Sequence, residues 1–178
     1  MNELQKNFIT SEIWTLTIAA AFQRASVYID KNVNEKSKDL FKEELIQYIT
    51  NQILPEYNTN NKVSDEQHIK NIELISNKSK DFAYILTNGY LNFGVSQKML
   101  NLLLKYYWCV FDYPEPPHFP VDRRIQETIK YKIINWTEID NSDDYMKIIY
   151  YVRSLANTKK KSIAQYELEH FERRRTKM

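Results

Sequence analysis

Residues 92–125 read NFGVSQKMLNLLLKYYWCVFDYPEPPHFPVDRRI, and this stretch decides how the rest of the chain is arranged. It contains Gly94, one of only two glycines in the protein, followed by a pattern that predicts a tight turn opening a helix over 96–112. The next segment, 113–121, holds four prolines, which remove main-chain donors and favour extended backbone, so it is predicted to be a loop. Asp122 follows Pro120-Val121 and is well placed to cap the next helix.

The remaining chain is also predicted to be helical. With 2 glycines and 5 prolines in 178 residues, few β-hairpin turns can be made, and apolar residues recur at helical spacing. The sequence therefore predicts an all-α fold of about eight helices in one domain, or in two lobes joined near 56–63. We expect a helix-hairpin-helix over 80–112 and a catalytic loop over 113–122. The predicted helices are 10–30, 37–54 (ended by a proline), 64–76, 80–88, 96–112, 122–134, 142–157 and 161–174.

Charge and composition exclude several classes of protein. The net charge of +2 is not by itself a nucleic-acid signature, but seven basic residues against three acidic ones over 159–178 predict a basic surface, or else a solvated C-terminal helix. One cysteine, Cys109, excludes a disulfide framework and is expected in the core. The apolar run 14–22 is too short to span a bilayer, and no signal peptide opens the chain, so a cytoplasmic protein is expected. Three scattered histidines predict no metal site, and no motif predicts a cofactor.

A glycine before a helix can create an anion site. If Gly94 adopts a positive φ, the main-chain N–H groups at the start of the next helix, around Ser96, would point outward at a phosphate. A plain helix–helix turn is the alternative interpretation.

Three polar residues share one face of the helix that follows. Lys98, Asn101 and Lys105 lie at i, i+3 and i+7 on an otherwise apolar helix. Lys98 is one turn inside the helix, where the positive end of the dipole, and a nearby Lys105, would lower its pKa. An amine with a lowered pKa can act as a nucleophile, whereas an exposed surface stripe is the alternative.

The loop after this helix adds further candidates. Asp122 can be a helix cap, a catalytic carboxylate or both. His118 is expected at the rim of a pocket, and Arg123 could meet a phosphate, although both could equally be inert loop and surface residues.

Together, Gly94-Val95-Ser96-Gln97-Lys98 and Pro120-Val121-Asp122 resemble the helix-hairpin-helix DNA glycosylase superfamily, and are most similar to its archaeal-type 8-oxoguanine glycosylase/lyases. The resemblance covers about 34 positions and implies that Lys98 attacks the sugar and forms a Schiff base, that Asp122 assists, and that Lys105 is the family's second lysine. Ser96 departs from the pattern, because the hairpin normally has a second glycine there. No residue of the N-terminal half aligns with the family's base-recognition groups.

The resemblance implies a monomeric base-excision repair enzyme on damaged or abasic double-stranded DNA, which flips the target base out of the stack. Two alternatives stay open: a DNA-binding module on the same scaffold without turnover, and an unrelated helical interaction protein.

Overall fold

The computed structural model describes residues 1–59, 62–132 and 134–170. Within these ranges the chain is helical and has no strand, only one isolated bridge between Tyr28 and Leu86. The all-α prediction is therefore confirmed. The helices are α1 Glu3–Phe22, α2 Glu35–Tyr48, α3 Leu54–Tyr57, α4 Asp65–Ser79, α5 Phe93–Phe111, α6 Arg123–Thr128, α7 Ser142–Thr158 and α8 Ile163–His170, with a π-helical turn Ile49–Ile53 and 3₁₀ turns Lys80–Ile85 and Trp136–Glu138.

Helix α5 is the centre of the fold. Every residue from Phe93 to Lys105 is buried, because α1, α4 and the turn Trp136–Glu138 pack around it. Its last turn emerges at the surface, where Cys109 is exposed, so the prediction of a core cysteine was wrong. Asp112 ends the helix in the left-handed conformation, with φ 55°. The proline-rich loop then returns the chain to Asp122.

The predicted helix boundaries were wrong for α1 and for the end of α6, and right for the start of α4. Helix α1 spans Glu3–Phe22 rather than 10–30, since Asn2 and Gln5 form a capping box that starts it earlier. Helix α6 begins at the predicted cap Asp122, but it ends at Thr128 rather than near residue 134. Ser64 caps α4 as predicted, by accepting a hydrogen bond from the Gln67 N–H.

Two other predicted boundaries changed, and two further predictions include residues outside the described ranges. Pro55 does not end the second helix, because it occupies the first turn of α3, where its missing N–H costs no hydrogen bond. The fourth predicted helix is the 3₁₀ turn Lys80–Ile85. The predicted lobe junction at 56–63 and the end of the predicted last helix both include residues outside the described ranges. No helix in the described part of the chain combines the length and apolarity needed to cross a bilayer.

Candidate active site

A cavity of about 1270 Å³ opens beside α5. Its walls come from the C-terminal half of α1, one face of α5, the segment 120–128, Trp136 and α8. Lys98 and Asp122, the predicted chemical pair, both line this cavity. The sequence therefore predicted correctly that these two residues share one cleft.

The Lys98 Nζ lies 3.8 Å from the Asp122 Oδ2. Lys98 is only 8% exposed, which excludes the surface-lysine interpretation. The second carboxylate oxygen of Asp122, Oδ1, accepts the Ile125 N–H at 3.1 Å and caps α6. Asp122 thus caps α6 with one carboxylate oxygen and faces the Lys98 amine with the other.

Gln97 fixes the spacing between the helix and the loop. It is fully buried, its Nε2 donates to the Val121 carbonyl at 2.8 Å, and its Oε1 accepts the Val121 N–H at 3.1 Å. Its Nε2 also donates to the Gly94 carbonyl at 3.0 Å. Since Gln97 and Val121 directly precede Lys98 and Asp122 in the sequence, this double hydrogen bond positions the amine against the carboxylate. Sequence analysis did not assign Gln97 a role, although its place beside the lysine was a usable signal.

Trp136 covers the amine from the other side. Its ring centre lies 4.0 Å from Lys98 Nζ, a cation–π geometry that favours the charged ammonium form. Trp136 is 5% exposed and contributes to the cavity wall. No pattern in the sequence distinguished this tryptophan from the other two.

The pKa of Lys98 is lowered from its usual 10.5, as predicted, but the causes differ from those expected. Burial, which penalises the ammonium charge, is the largest cause, and Asp122 opposes it. The guanidinium groups of Arg24 and Arg124 lower the pKa further. Lys105, to which the sequence assigned this effect, is instead held by a carboxylate.

That carboxylate belongs to Glu167 of α8. The Lys105 Nζ donates to both Glu167 oxygens, at 3.0 and 2.7 Å, and both residues line the cavity. Burial raises the pKa of the Glu167 carboxyl, against the lowering effect of Lys105, and the nearby Asp122 charge raises it further. The pair presents a donor and an acceptor side by side on the cavity wall.

The predicted anion site at the Gly94 turn is contradicted. Gly94 does not have a positive φ; Gly89, at 76°, is the turn glycine. The Gly94 N–H donates to the Ile139 carbonyl at 2.8 Å. The Val95 N–H donates to the side-chain oxygen of Asn92, and the Ser96 N–H donates to the Asn92 main-chain carbonyl. Glycine is needed here for close approach, because a Cβ at Gly94 would lie 1.8 Å from the Trp136 carbonyl oxygen.

Ser96 does not face a ligand either. Its side chain is fully buried, and its hydroxyl donates to the Leu91 carbonyl at 3.4 Å. The hydroxyl therefore anchors the start of α5 to the preceding segment.

Asn101 and His118 were predicted to contact the ligand, but both are fully buried and neither lines the large cavity. The Asn101 Nδ2 donates to the Tyr145 hydroxyl at 2.9 Å and to the Gln97 Oε1 at 3.2 Å, and its Oδ1 lies 2.9 Å from the His68 Nε2. The Tyr145 hydroxyl also lies 2.9 Å from the His118 Nδ1. These side chains form a buried polar network that does not line the large cavity.

The network ends at an ion pair. The His118 Nε2 lies 3.0 Å from the Asp65 Oδ1, and Arg153 donates to both Asp65 oxygens at 2.7 and 2.8 Å. Burial lowers the pKa of His118 although Asp65 opposes this, so we assign a neutral ring that donates to Asp65 and accepts from the Tyr145 hydroxyl. Hydrogen bonds from His118 and Arg153 lower the pKa of Asp65.

The remaining candidates lie at the surface. Arg123 lines the cavity but is exposed, and its Nε donates to Glu127 at 2.8 Å. Part of the predicted basic surface, 171–178, lies outside the described residues; Lys161, which lies inside them, pairs with Glu169 at 2.6 Å. Among the described side chains, no group of three or more His, Cys, Asp or Glu could hold a metal ion.

Comparison of this chain with protein-family models, curated proteins and solved structures finds no match.

Proposed function

We propose that this protein is a DNA glycosylase with associated AP lyase activity, acting on an oxidised purine of the 8-oxoguanine type in double-stranded DNA. The observation that carries the proposal is the approach of Lys98 and Asp122, 3.8 Å apart on the wall of one cavity. A buried amine with a lowered pKa beside a carboxylate is what covalent attack on a sugar carbon requires.

In the proposed reaction the neutral Lys98 amine attacks C1′ of an extruded nucleotide. The glycosidic bond breaks, and the base leaves with the bonding electrons and takes up a proton. Loss of a proton from nitrogen and opening of the sugar ring give a Schiff base between Lys98 and C1′. Removal of a proton from C2′ then expels the 3′ phosphate, which cuts the strand. The Asp122 carboxylate stabilises the positive charge that develops on the sugar during attack.

The cavity also suits an extruded base. Its volume of about 1270 Å³ exceeds what a nucleoside needs, and Trp136 offers an aromatic surface next to the amine. The Lys105–Glu167 pair supplies a donor and an acceptor within the same cavity, which suits the edge of an oxidised purine.

Borohydride trapping tests the proposal directly. The protein is incubated with duplex DNA bearing either 8-oxoguanine or an abasic site, and borohydride then reduces any Schiff base to a stable covalent adduct. We expect an adduct with the wild type, none with Lys98→Gln and a much slower one with Asp122→Asn. Lys147→Gln is the matched control, because Lys147 forms an exposed ion pair with Asp144 away from the cavity and should trap normally.

A second candidate is a DNA-binding protein without turnover, and one observation favours it. The Trp136 ring centre lies 4.0 Å from the Lys98 Nζ, a contact that favours the charged ammonium form, which is not nucleophilic. A salt-sensitive complex with DNA and no adduct would support this candidate. Absence of both the complex and the adduct would contradict both candidates and favour a helical interaction protein.

A further inference from the structure

We propose that Arg24, with Arg124 beside it, forms an anion site at the edge of the cavity, and that this site binds a DNA backbone phosphate next to the nucleotide whose sugar reaches Lys98. The inference rests on the proposed function, to which it adds a phosphate-binding element outside the hairpin of residues 80–112. The first reason is that this hairpin offers no main-chain N–H group at its Gly94 turn.

The N–H groups of Gly94, Val95 and Ser96 do not offer a phosphate site, since each of the three has an acceptor inside the protein. The Gly94 N–H donates to the Ile139 carbonyl at 2.8 Å, the Val95 N–H to the Asn92 side chain at 3.0 Å, and the Ser96 N–H to the Asn92 carbonyl at 3.1 Å. A nucleotide held at Lys98 still carries backbone phosphates, and other groups must neutralise them.

Three of the cations that line the cavity have carboxylate partners. Lys98 pairs with Asp122, Lys105 with Glu167 and Arg123 with Glu127. Within the described part of the chain, Arg24 lines the cavity but has no ion-pair or hydrogen-bonding partner for its guanidinium. A guanidinium binds a phosphate through two parallel N–H donors, a geometry that a lysine cannot reproduce.

The backbone at Arg24 holds the side chain on a turn whose position is fixed. Arg24 follows α1 with φ 68°, a left-handed conformation in which glycine is favoured and arginine is uncommon. The turn is tied down just beyond it, because the Thr87 N–H donates to the Val27 carbonyl at 2.9 Å and the Ile29 N–H to the Ile85 carbonyl at 3.0 Å. The arginine is therefore presented from a fixed turn although the turn itself would favour glycine.

Arg24 and Arg124 line the same cavity from different parts of the chain. Arg24 comes from the end of α1 and Arg124 from α6, and both line the cavity with Lys98. Both lie close enough to Lys98 to lower the pKa of its amine, which supports a common location. A phosphate between the two guanidinium groups would neighbour the sugar that Lys98 attacks.

The test measures binding rather than chemistry, using duplex DNA with a tetrahydrofuran abasic analogue that cannot form a Schiff base. Arg24→Gly removes the guanidinium and also relieves the left-handed backbone, so the variant should fold at least as well as the wild type. Lys130→Gly is the matched control, because Lys130 has φ 55°, is exposed and does not line the cavity.

We expect Arg24→Gly to bind the duplex about tenfold more weakly and to lower the slope of log affinity against log salt by about one, with Lys130→Gly unchanged in both. A single methylphosphonate, which is uncharged, is then placed at each phosphate flanking the lesion. At one of these positions the methylphosphonate should weaken DNA binding by the wild type as much as the Arg24→Gly substitution does. At that same position it should not weaken DNA binding by the Arg24→Gly variant any further.

Equal DNA affinity and equal salt slope for Arg24→Gly and the wild type would overturn the anion site. It would also be overturned if the effects of the Arg24→Gly substitution and of the methylphosphonate on binding were fully additive at every phosphate tested. The proposed function fails separately. If the wild type traps abasic DNA while Arg24→Gly binds like the wild type, only the anion site is wrong. If the wild type neither traps nor binds DNA, the glycosylase proposal and the anion site are both wrong.

Discussion

The substitution Gly94→Ala tests the packing that holds the site together. A Cβ at this position would lie 1.8 Å from the Trp136 carbonyl oxygen. Carbon atoms normally approach a carbonyl oxygen to about 3.3 Å, so the turn Trp136–Glu138 would have to withdraw by roughly 1.5 Å. Such overpacking costs about 1–3 kcal/mol, and loss of the hydrogen bond from the Gly94 N–H to Ile139 adds about 1 kcal/mol. The better helix propensity of alanine returns at most about 1 kcal/mol.

We therefore expect Gly94→Ala to lower the free energy of unfolding by about 2 kcal/mol, and Tm by roughly 4–8 °C for a chain of this size. Urea and thermal unfolding followed by circular dichroism measure both quantities. Gly89→Ala is the control: Gly89 has φ 76°, but an added Cβ there meets nothing closer than 3.7 Å. It should lose about 1 kcal/mol from backbone strain alone and should leave Schiff-base trapping unchanged. The packing argument is refuted if Gly94→Ala is as stable as the wild type, or more stable than Gly89→Ala.

Three further outcomes follow from the site. Gln97→Met removes the hydrogen-bonding partners of buried main-chain groups in the neighbouring loop, so the free energy of unfolding in urea should fall by about 2–4 kcal/mol and trapping should slow. A variant as stable as the wild type would contradict this. The trapping rate should rise with pH as the Lys98 amine loses its proton, and the midpoint of this rise should lie below 10.5. Because Asp122 raises the pKa of Lys98 and Arg24 lowers it, Asp122→Asn should move the midpoint to lower pH and Arg24→Gly should move it to higher pH. Midpoints that do not move in these variants would refute the assigned causes. The pKa of Asp65 is lowered from 3.8, so its charge stabilises the fold above about pH 4, and this stabilisation is lost as the pH falls further. Asp65→Asn should therefore unfold in less urea at pH 7, and its free energy of unfolding should change less between pH 7 and acidic pH. Wild-type and variant curves of unfolding free energy against pH that run parallel would contradict this.

The sequence predicted the helical class and the meeting of Lys98 with Asp122 because both depend on local signals. A chain with two glycines has few alternatives to helices, and a proline-rich loop between two helices limits where the second can begin. The cap at Asp122 is likewise a local feature. These signals indicate that the helices are present and which residues they carry, although they misplace some helix starts.

Sequence analysis missed the contacts that cross the fold. Glu167 pairs with Lys105 across 62 positions, and Asp65 pairs with Arg153 across 88, so neither partner is visible in a local pattern. The role of Gly94 was misjudged for the same reason. Glycine is required there because the main chain of Trp136 leaves no room for a side chain, and not because Gly94 has a positive φ.

The described buried polar residues were misjudged because spacing alone cannot distinguish an internal hydrogen-bonded network from a ligand-binding face. Asn101 shares the helix face of Lys98, yet it is fully buried and hydrogen-bonded to Tyr145 and Gln97. His118 follows two prolines in a loop, which suggested a pocket rim, but the loop folds inward and buries it completely.

The most direct test of the central claim is to locate the covalent bond. Wild-type protein is trapped with borohydride on abasic duplex DNA, the DNA and the protein are digested, and mass spectrometry identifies the modified peptide. We predict a sugar remnant on Lys98 alone. A remnant on Lys105 or the N-terminal amine, or on no residue at all, would contradict the assignment of Lys98 as the nucleophile facing Asp122.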